Sequence, residues 1–180
     1  NRQKEKQMIL TNYFIKKKIK RLSASHARRE HTFRSLEEVR DIVLFFHIRD
    51  REEIEACMAK LRKAGKRVKG CVFVPHNWKG EVAISYLPVK HGVNLSALSM
   101  PSEQLLNELS ELRMDMLMDL TSPRCVAMKY LFLHQDCPFK VGVKWDEEEY
   151  YDFSIAATDD RSIPYLFDQL VHYLQTIRST

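Results

Sequence analysis

Residues 39–74, VRDIVLFFHIRDREEIEACMAKLRKAGKRVKGCVFV, decide the fold. Within them Ile42-Val43-Leu44-Phe45-Phe46 is an unbroken apolar run rich in β-branched and aromatic residues. A strand with one wet face would alternate, so this run predicts a strand over 39–48 that is covered on both sides. Asp50 and Glu53 follow in the D-x-x-E spacing of a capping box, which opens a helix. Ile54, Cys57, Met58 and Leu61 give that helix one apolar face, and Gly65 takes the favoured place just past its end. Cys71-Val72-Phe73-Val74 closes a second strand over 68–74. The unit from Ile42 to Val74 has 33 residues, the size of a right-handed strand–helix–strand crossover.

The same alternation continues toward the C-terminus. Residues 75–100 are hard to read, with a short strand suggested by the alternation of Val82, Ile84 and Tyr86. Pro101-Ser102-Glu103 starts a helix to about Leu112, and Met114–Leu120 is the next strand. Ser122-Pro123 reads as an N-cap followed by proline at the first helical position, opening a helix to residue 135. Strands follow at 139–143 and 150–156, joined through the acidic turn Asp146-Glu147-Glu148-Glu149. That link is too short for a crossover helix, so the strand at 150–156 is expected to run antiparallel at a sheet edge. Ile163, Leu166, Phe167, Leu170, Val171, Leu174 and Ile177 mark a final amphipathic helix over 162–178. Together these elements predict an open, doubly wound, mostly parallel α/β sheet of Rossmann-like type, with an antiparallel edge strand and a basic N-terminal helix.

The chain has 180 residues, enough for one domain, read as a basic arm over 1–34 and a single α/β body over 35–180. Hydrophobic residues make up 44% and charged residues 29%, which excludes a wholly disordered chain. No apolar stretch approaches the roughly 20 residues of a transmembrane helix, and no secretory core is read. Cys57, Cys71, Cys125 and Cys137 form no C-x-x-C pair, as expected of thiols in a reducing compartment. The expected location is therefore cytoplasmic, peripheral to a membrane if the arm meets one.

Charge is unevenly placed. Residues 1–34 carry 11 Lys/Arg against Glu5 and Glu30, whereas the rest carries 18 basic and 22 acidic residues. Residues 8–30 read as a helix with Leu10, Phe14, Ile15, Ile19 and Leu22 interleaved with Lys16, Lys17, Lys18, Lys20 and Arg21, and Arg28 and Arg29 extend its basic face. This arm points to an anionic partner: RNA, a ribonucleoprotein or a membrane surface. The five cations of Lys16–Arg21 could each contribute about 1 kcal/mol on an anionic bilayer, with the apolar residues adding to that. On duplex nucleic acid they would give a log–log salt slope of about −4.5. The competing reading is a helix packed on its own body with solvated lysines.

In sheets of this kind ligands bind beyond the carboxyl ends of the strands. Those ends carry His47, Arg49 and Asp50, then His76, Asn77 and Trp78, then Thr121, Ser122 and Arg124, then Lys144 and Trp145. His47, Asp50, His76, Ser122 and Arg124 form the candidate ligand-binding set, with Arg124 at a helix start suited to phosphate. Asp50 and Ser122 are equally explained as helix caps. The chain lacks G-x-x-x-x-G-K-[ST], G-x-G-x-x-G and G-x-S-x-G, which argues against a P-loop, dinucleotide or α/β-hydrolase site. His134, Cys137 and Cys125 match no zinc spacing, so neither metal nor cofactor is expected. No catalytic residue is assigned. The first reading is a non-catalytic domain that binds an anionic partner. The alternative is a small enzyme or ligand-binding domain for a phosphorylated or sugar substrate. Homo-oligomerisation is left open.

Two resemblances bear on this. Phe14-Ile15-Lys16-Lys17, the Asp115–Leu120 strand, Phe139-Lys140-Val141-Gly142 and Tyr151-Asp152 make the whole chain resemble a short, uncharacterised α/β family of Bacteroidetes-type bacteria, which implies no particular activity. Met114-Asp115-Met116-Leu117-Met118-Asp119-Leu120, a Ser-led helix and Lys140-Val141-Gly142 resemble the acceptor half of heptosyltransferase-like glycosyltransferases. That likeness implies a sugar substrate. Those enzymes hold the sugar nucleotide with a second α/β domain, for which 180 residues leave no room, and no catalytic base carries over.

Overall fold

The computed structural model describes residues 2–26 (side chains from residue 13), 32–122, 125–145, 150–157 and 162–176. Six strands, β1 (Asp41–His47), β2 (Arg67–Val74), β3 (Leu87–Lys90), β4 (Met116–Asp119), β5 (Phe139–Lys144) and β6 (Phe153–Ala156), form one sheet in the order β3-β2-β1-β4-β5-β6. All five pairings are parallel. The helices are α1 (Arg2–His26), α2 (Arg51–Lys63), α3 (Glu103–Ser110), α4 (Val126–His134) and α5 (Ile163–Thr176), with a short 3₁₀ turn at Ile48–Asp50.

The run Ile42–Phe46 lies at the centre of the sheet, and each of its residues is at most 1% exposed. Ile42, Leu44 and Phe46 meet α2 and α5 on one face, together with Val72, Met118 and Val141. Val43 and Phe45 meet the other face, where Ile15 and Ile19 of α1, Leu105 and Leu109 of α3, and Leu131 and Phe132 of α4 pack. A strand in this position needs apolar side chains in both directions, hence its missing alternation.

The edge strand β6 corrects the expected direction: it runs parallel to β5, with Phe153 beside Val141 and Ala156 beside Lys144. The loop-length argument fails on distance. Eight extended residues can span about 26 Å, more than enough to return along one short strand without a helix. Asp152 completes the return, donating its N–H to the Lys140 carbonyl (2.7 Å) and accepting the Lys140 N–H on Oδ2 (2.7 Å). The expected strand at 82–86 is also displaced. Ile84 is fully exposed, and Leu87–Lys90 pairs with β2 instead. Pro88 is tolerated there because β3 is an edge strand, whose outer side needs no donor.

Two helix starts differ from expectation. Asp50 precedes α2 at φ −93°, ψ 10°, and its carboxylate caps nothing. A capping side chain needs extended backbone, but the 3₁₀ turn runs straight into α2. Helix α4 begins at Val126 behind Cys125, so Ser122 is not its N-cap; its carbonyl accepts the Cys125 N–H at 3.2 Å. Ser102, by contrast, does cap α3, its Oγ accepting the Leu105 N–H at 3.2 Å.

Helix α1 packs along α4. Ile15 and Ile19 are buried, while Tyr13 and Phe14 are 60% and 54% exposed. Lys16, Lys17, Lys18, Lys20 and Arg21 are all exposed. No described helix is long and apolar enough to cross a membrane.

Candidate functional site

The strand order turns at β1 and β4. From β1 the chain moves toward β3, and from β4 it moves toward β6, so the connections leave these two strands on opposite faces. A crevice opens where they part. It encloses about 500 Å³ and is lined by His47, Arg49 and Asp50 after β1, Phe73 from β2, His91 after β3, Ser99, Ser122 after β4, and Cys125, Val126 and Ala127 at the start of α4.

His47 ends β1 and organises the turn that follows. Its Nδ1 accepts the Arg49 N–H at 3.1 Å. A neutral ring in that arrangement carries its proton on Nε2. Burial lowers the His47 pKa below the ordinary imidazole value, with the nearby Asp50 charge opposing that shift. Burial raises the Asp50 carboxyl above its usual range, and the Glu53 charge adds to the rise. Ser99 holds the left-handed backbone conformation at φ 54°, unusual for a residue with a side chain.

The β4 exit is braced from below. Asp119 is buried, and its Oδ1 accepts both the N–H (2.9 Å) and the hydroxyl (2.6 Å) of Thr121. The Tyr151 hydroxyl donates to its Oδ2 at 3.0 Å. Trp145 donates its indole N–H to the Thr121 carbonyl at 3.1 Å. These bonds fix the path on which Ser122 reaches the crevice. Burial pushes the Asp119 carboxyl up, opposed by the Thr121 and Tyr151 hydrogen bonds.

Of the residues expected at the site, His47, Asp50 and Ser122 share this crevice. His76 lies apart, in a neighbouring cavity with Leu95 and Met100. Arg124 lies outside the described residues, as do Arg28 and Arg29 of the basic face. His91, which lines both cavities, and Phe73 escaped the sequence reading. With β3 sought at 82–86, His91 did not look like a strand-end residue; the true end at Lys90 puts it there. The sequence places Phe73 only within the strand over 68–74; its ring is contacted edge-on by His47 at 5.4 Å and by His91 at 6.1 Å.

A second candidate surface is the outer side of α1. Tyr13, Lys17, Lys20 and Arg21 recur at helical spacing opposite the buried Ile15 and Ile19. The Tyr13 and Phe14 rings meet edge to face at 5.9 Å. None of the five cations from Lys16 to Arg21 forms an ion pair with a described residue. Ile15 and Ile19 are taken up by α4, so the aromatic pair is the apolar part of this surface. Among the described residues no group of three or more His, Cys, Asp or Glu side chains is placed to hold a metal ion.

No curated protein and no solved structure matches the chain. The model of a family of unknown function (DUF6913) matches residues 11–177, and the chain belongs to that family.

Proposed function

We propose that this protein is a non-catalytic, cytoplasmic α/β domain that docks on an anionic surface through the outer face of α1, with residues 1–34 as the docking arm. The observation that carries this reading is the division of α1 into two faces. Ile15 and Ile19 are spent on α4, while Lys16, Lys17, Lys18, Lys20 and Arg21 stay exposed beside the open rings of Tyr13 and Phe14. A helix merely solvated on its outer side has no need of two large aromatic rings there. Aromatic rings beside cations suit both the stacked bases of RNA, alone or in a ribonucleoprotein, and the headgroup region of a membrane.

The test is charge reversal rather than deletion, because deletion would also uncover α4. The variant Lys17→Glu/Lys20→Glu/Arg21→Glu should keep its thermal unfolding and lose binding to a single-stranded RNA oligomer, or to phosphatidylserine-containing vesicles, with wild-type binding falling steeply as salt rises. Equal binding by the variant and wild type would remove α1 from the account. The arm that responds, RNA or vesicle, names the partner.

The crevice supports a second reading, a small enzyme or ligand-binding domain for a phosphorylated or sugar substrate. Its supporting observation is that His47 and Asp50, just after β1, and Ser122, far along the chain after β4, line one cavity at the switch point. A glycosyltransferase-like activity belongs to this reading and rests on the sequence resemblance alone.

A further inference from the structure

The crevice holds a set of hydrogen-bond donors whose character is set by the fold. The neutral His47 ring is a donor through Nε2, because Nδ1 already accepts the Arg49 N–H. Arg49 is a donor only, and Ser122 adds a hydroxyl. Cys125, which precedes α4, makes no side-chain capping bond, and Val126 and Ala127 line the same space. Asp50 is the one carboxylate among the described lining residues, and it makes no hydrogen bond to α2. Burial raises its carboxyl above the usual range, so it opposes a bound anion less than an open carboxylate would. Several donors of different kinds around about 500 Å³ match a group with more than two acceptor oxygens. Beside them the Phe73 ring offers an apolar floor between two imidazoles.

We infer that the crevice binds a phosphate monoester, with its phosphate against His47, Arg49, Ser122 and the open start of α4, and its organic part on Phe73 toward His91. This rests on the crevice being a ligand site. It goes further by choosing the phosphate over an unphosphorylated sugar, by giving the orientation, and by naming Phe73 and His91 as the residues that select the organic part. His91 also lines the neighbouring cavity, which gives a larger organic group a way out past His76.

The test is an NMR titration of the labelled full chain with three probes: inorganic phosphate, a glucose phosphate and free glucose. Inorganic phosphate and glucose phosphate should shift the His47 ring and the Val126 and Ala127 amides saturably, and the α1 charge-reversal variant should respond in the same way. Ser122→Ala and His47→Gln should each weaken both phosphates about tenfold or more, the usual loss for one hydrogen bond to a charged group. Phe73→Leu should weaken glucose phosphate while leaving inorganic phosphate unchanged. If His47→Gln does not fold, Ser122→Ala and the wild-type titration carry the decision. Shifts confined to Lys16–Arg21, or lost on α1 charge reversal, overturn the inference. A response to free glucose without one to either phosphate overturns the phosphate and keeps the crevice as a ligand site. Silence to all three overturns both.

Discussion

The ring of Tyr151 lies against the backbone of Gly142, so closely that a methyl group on Gly142 would run into its Cε1. The same methyl would sit 2.9 Å from the Asp119 carbonyl on the neighbouring strand. Glycine at this point of β5 lets the returning chain lie flat on the sheet and leave as a parallel strand. Gly142→Ala should destabilise the protein by about 1–3 kcal/mol, the usual cost of overpacking. Urea unfolding measures this, and adding Tyr151→Ala should reduce the loss that Gly142→Ala causes. A fully stable single variant would mean that the crossover can shift freely.

Asp119 makes a pH prediction with a definite sign. Burial raises its carboxyl in the folded state, so the folded protein holds this proton when the unfolded chain has released it. Stability from this group is therefore highest in acid and falls as pH rises through the ordinary carboxylate range. Asn at this position can still accept from Thr121 and has no charge to bury. The stability of Asp119→Asn relative to wild type should improve as pH rises from the acid side toward neutrality, read from urea midpoints across that range. A pH-independent difference would mean that Asp119 is not strained by burial.

The two faces of α1 should behave oppositely. Ile15→Ala removes a fully buried side chain from the α1–α4 contact and should cost about 2–5 kcal/mol. Lys17→Ala touches an exposed position and should stay within about 0.5 kcal/mol. Thermal unfolding distinguishes them, and equal values would mean that α1 does not rest on α4.

The thiols should be inert in the folded protein. Burial pushes Cys57 up to about 11 and Cys125 up to about 12, raises Cys71 as well, and Cys137 is buried. Thiolate is the reactive form, so at mildly alkaline pH a disulfide reagent should label none of them quickly, and all four once urea unfolds the chain. Rapid labelling of Cys125 in the native state would reopen it as a reactive group lining the crevice.

How far each feature could be read depends on whether its cause is local. The run Ile42–Phe46 and the helical spacing of Ile54, Cys57, Met58 and Leu61 are patterns of consecutive residues, and they specify a buried parallel strand and an amphipathic helix without reference to anything distant. The charge of α1 was legible for the same reason. His47, Asp50 and Ser122 could be placed at strand ends because the strands themselves were found.

What stayed hidden depends on contacts between distant residues. The direction of β6 follows from Asp152 meeting Lys140 and from Tyr151 lying on Gly142, and neither contact leaves a periodic mark. The place of β3 follows from pairing with β2, which overrides the alternation of Val82, Ile84 and Tyr86. Because β3 was misplaced, His91 went unseen as a crevice residue. Composition and short-range spacing determined that this chain folds as a doubly wound sheet with a cationic leading helix. The direction of the edge strand, the start of α4, and the meeting of His47, Phe73 and His91 were decided only by the packed structure, since pairing and close packing act between residues that share no local pattern.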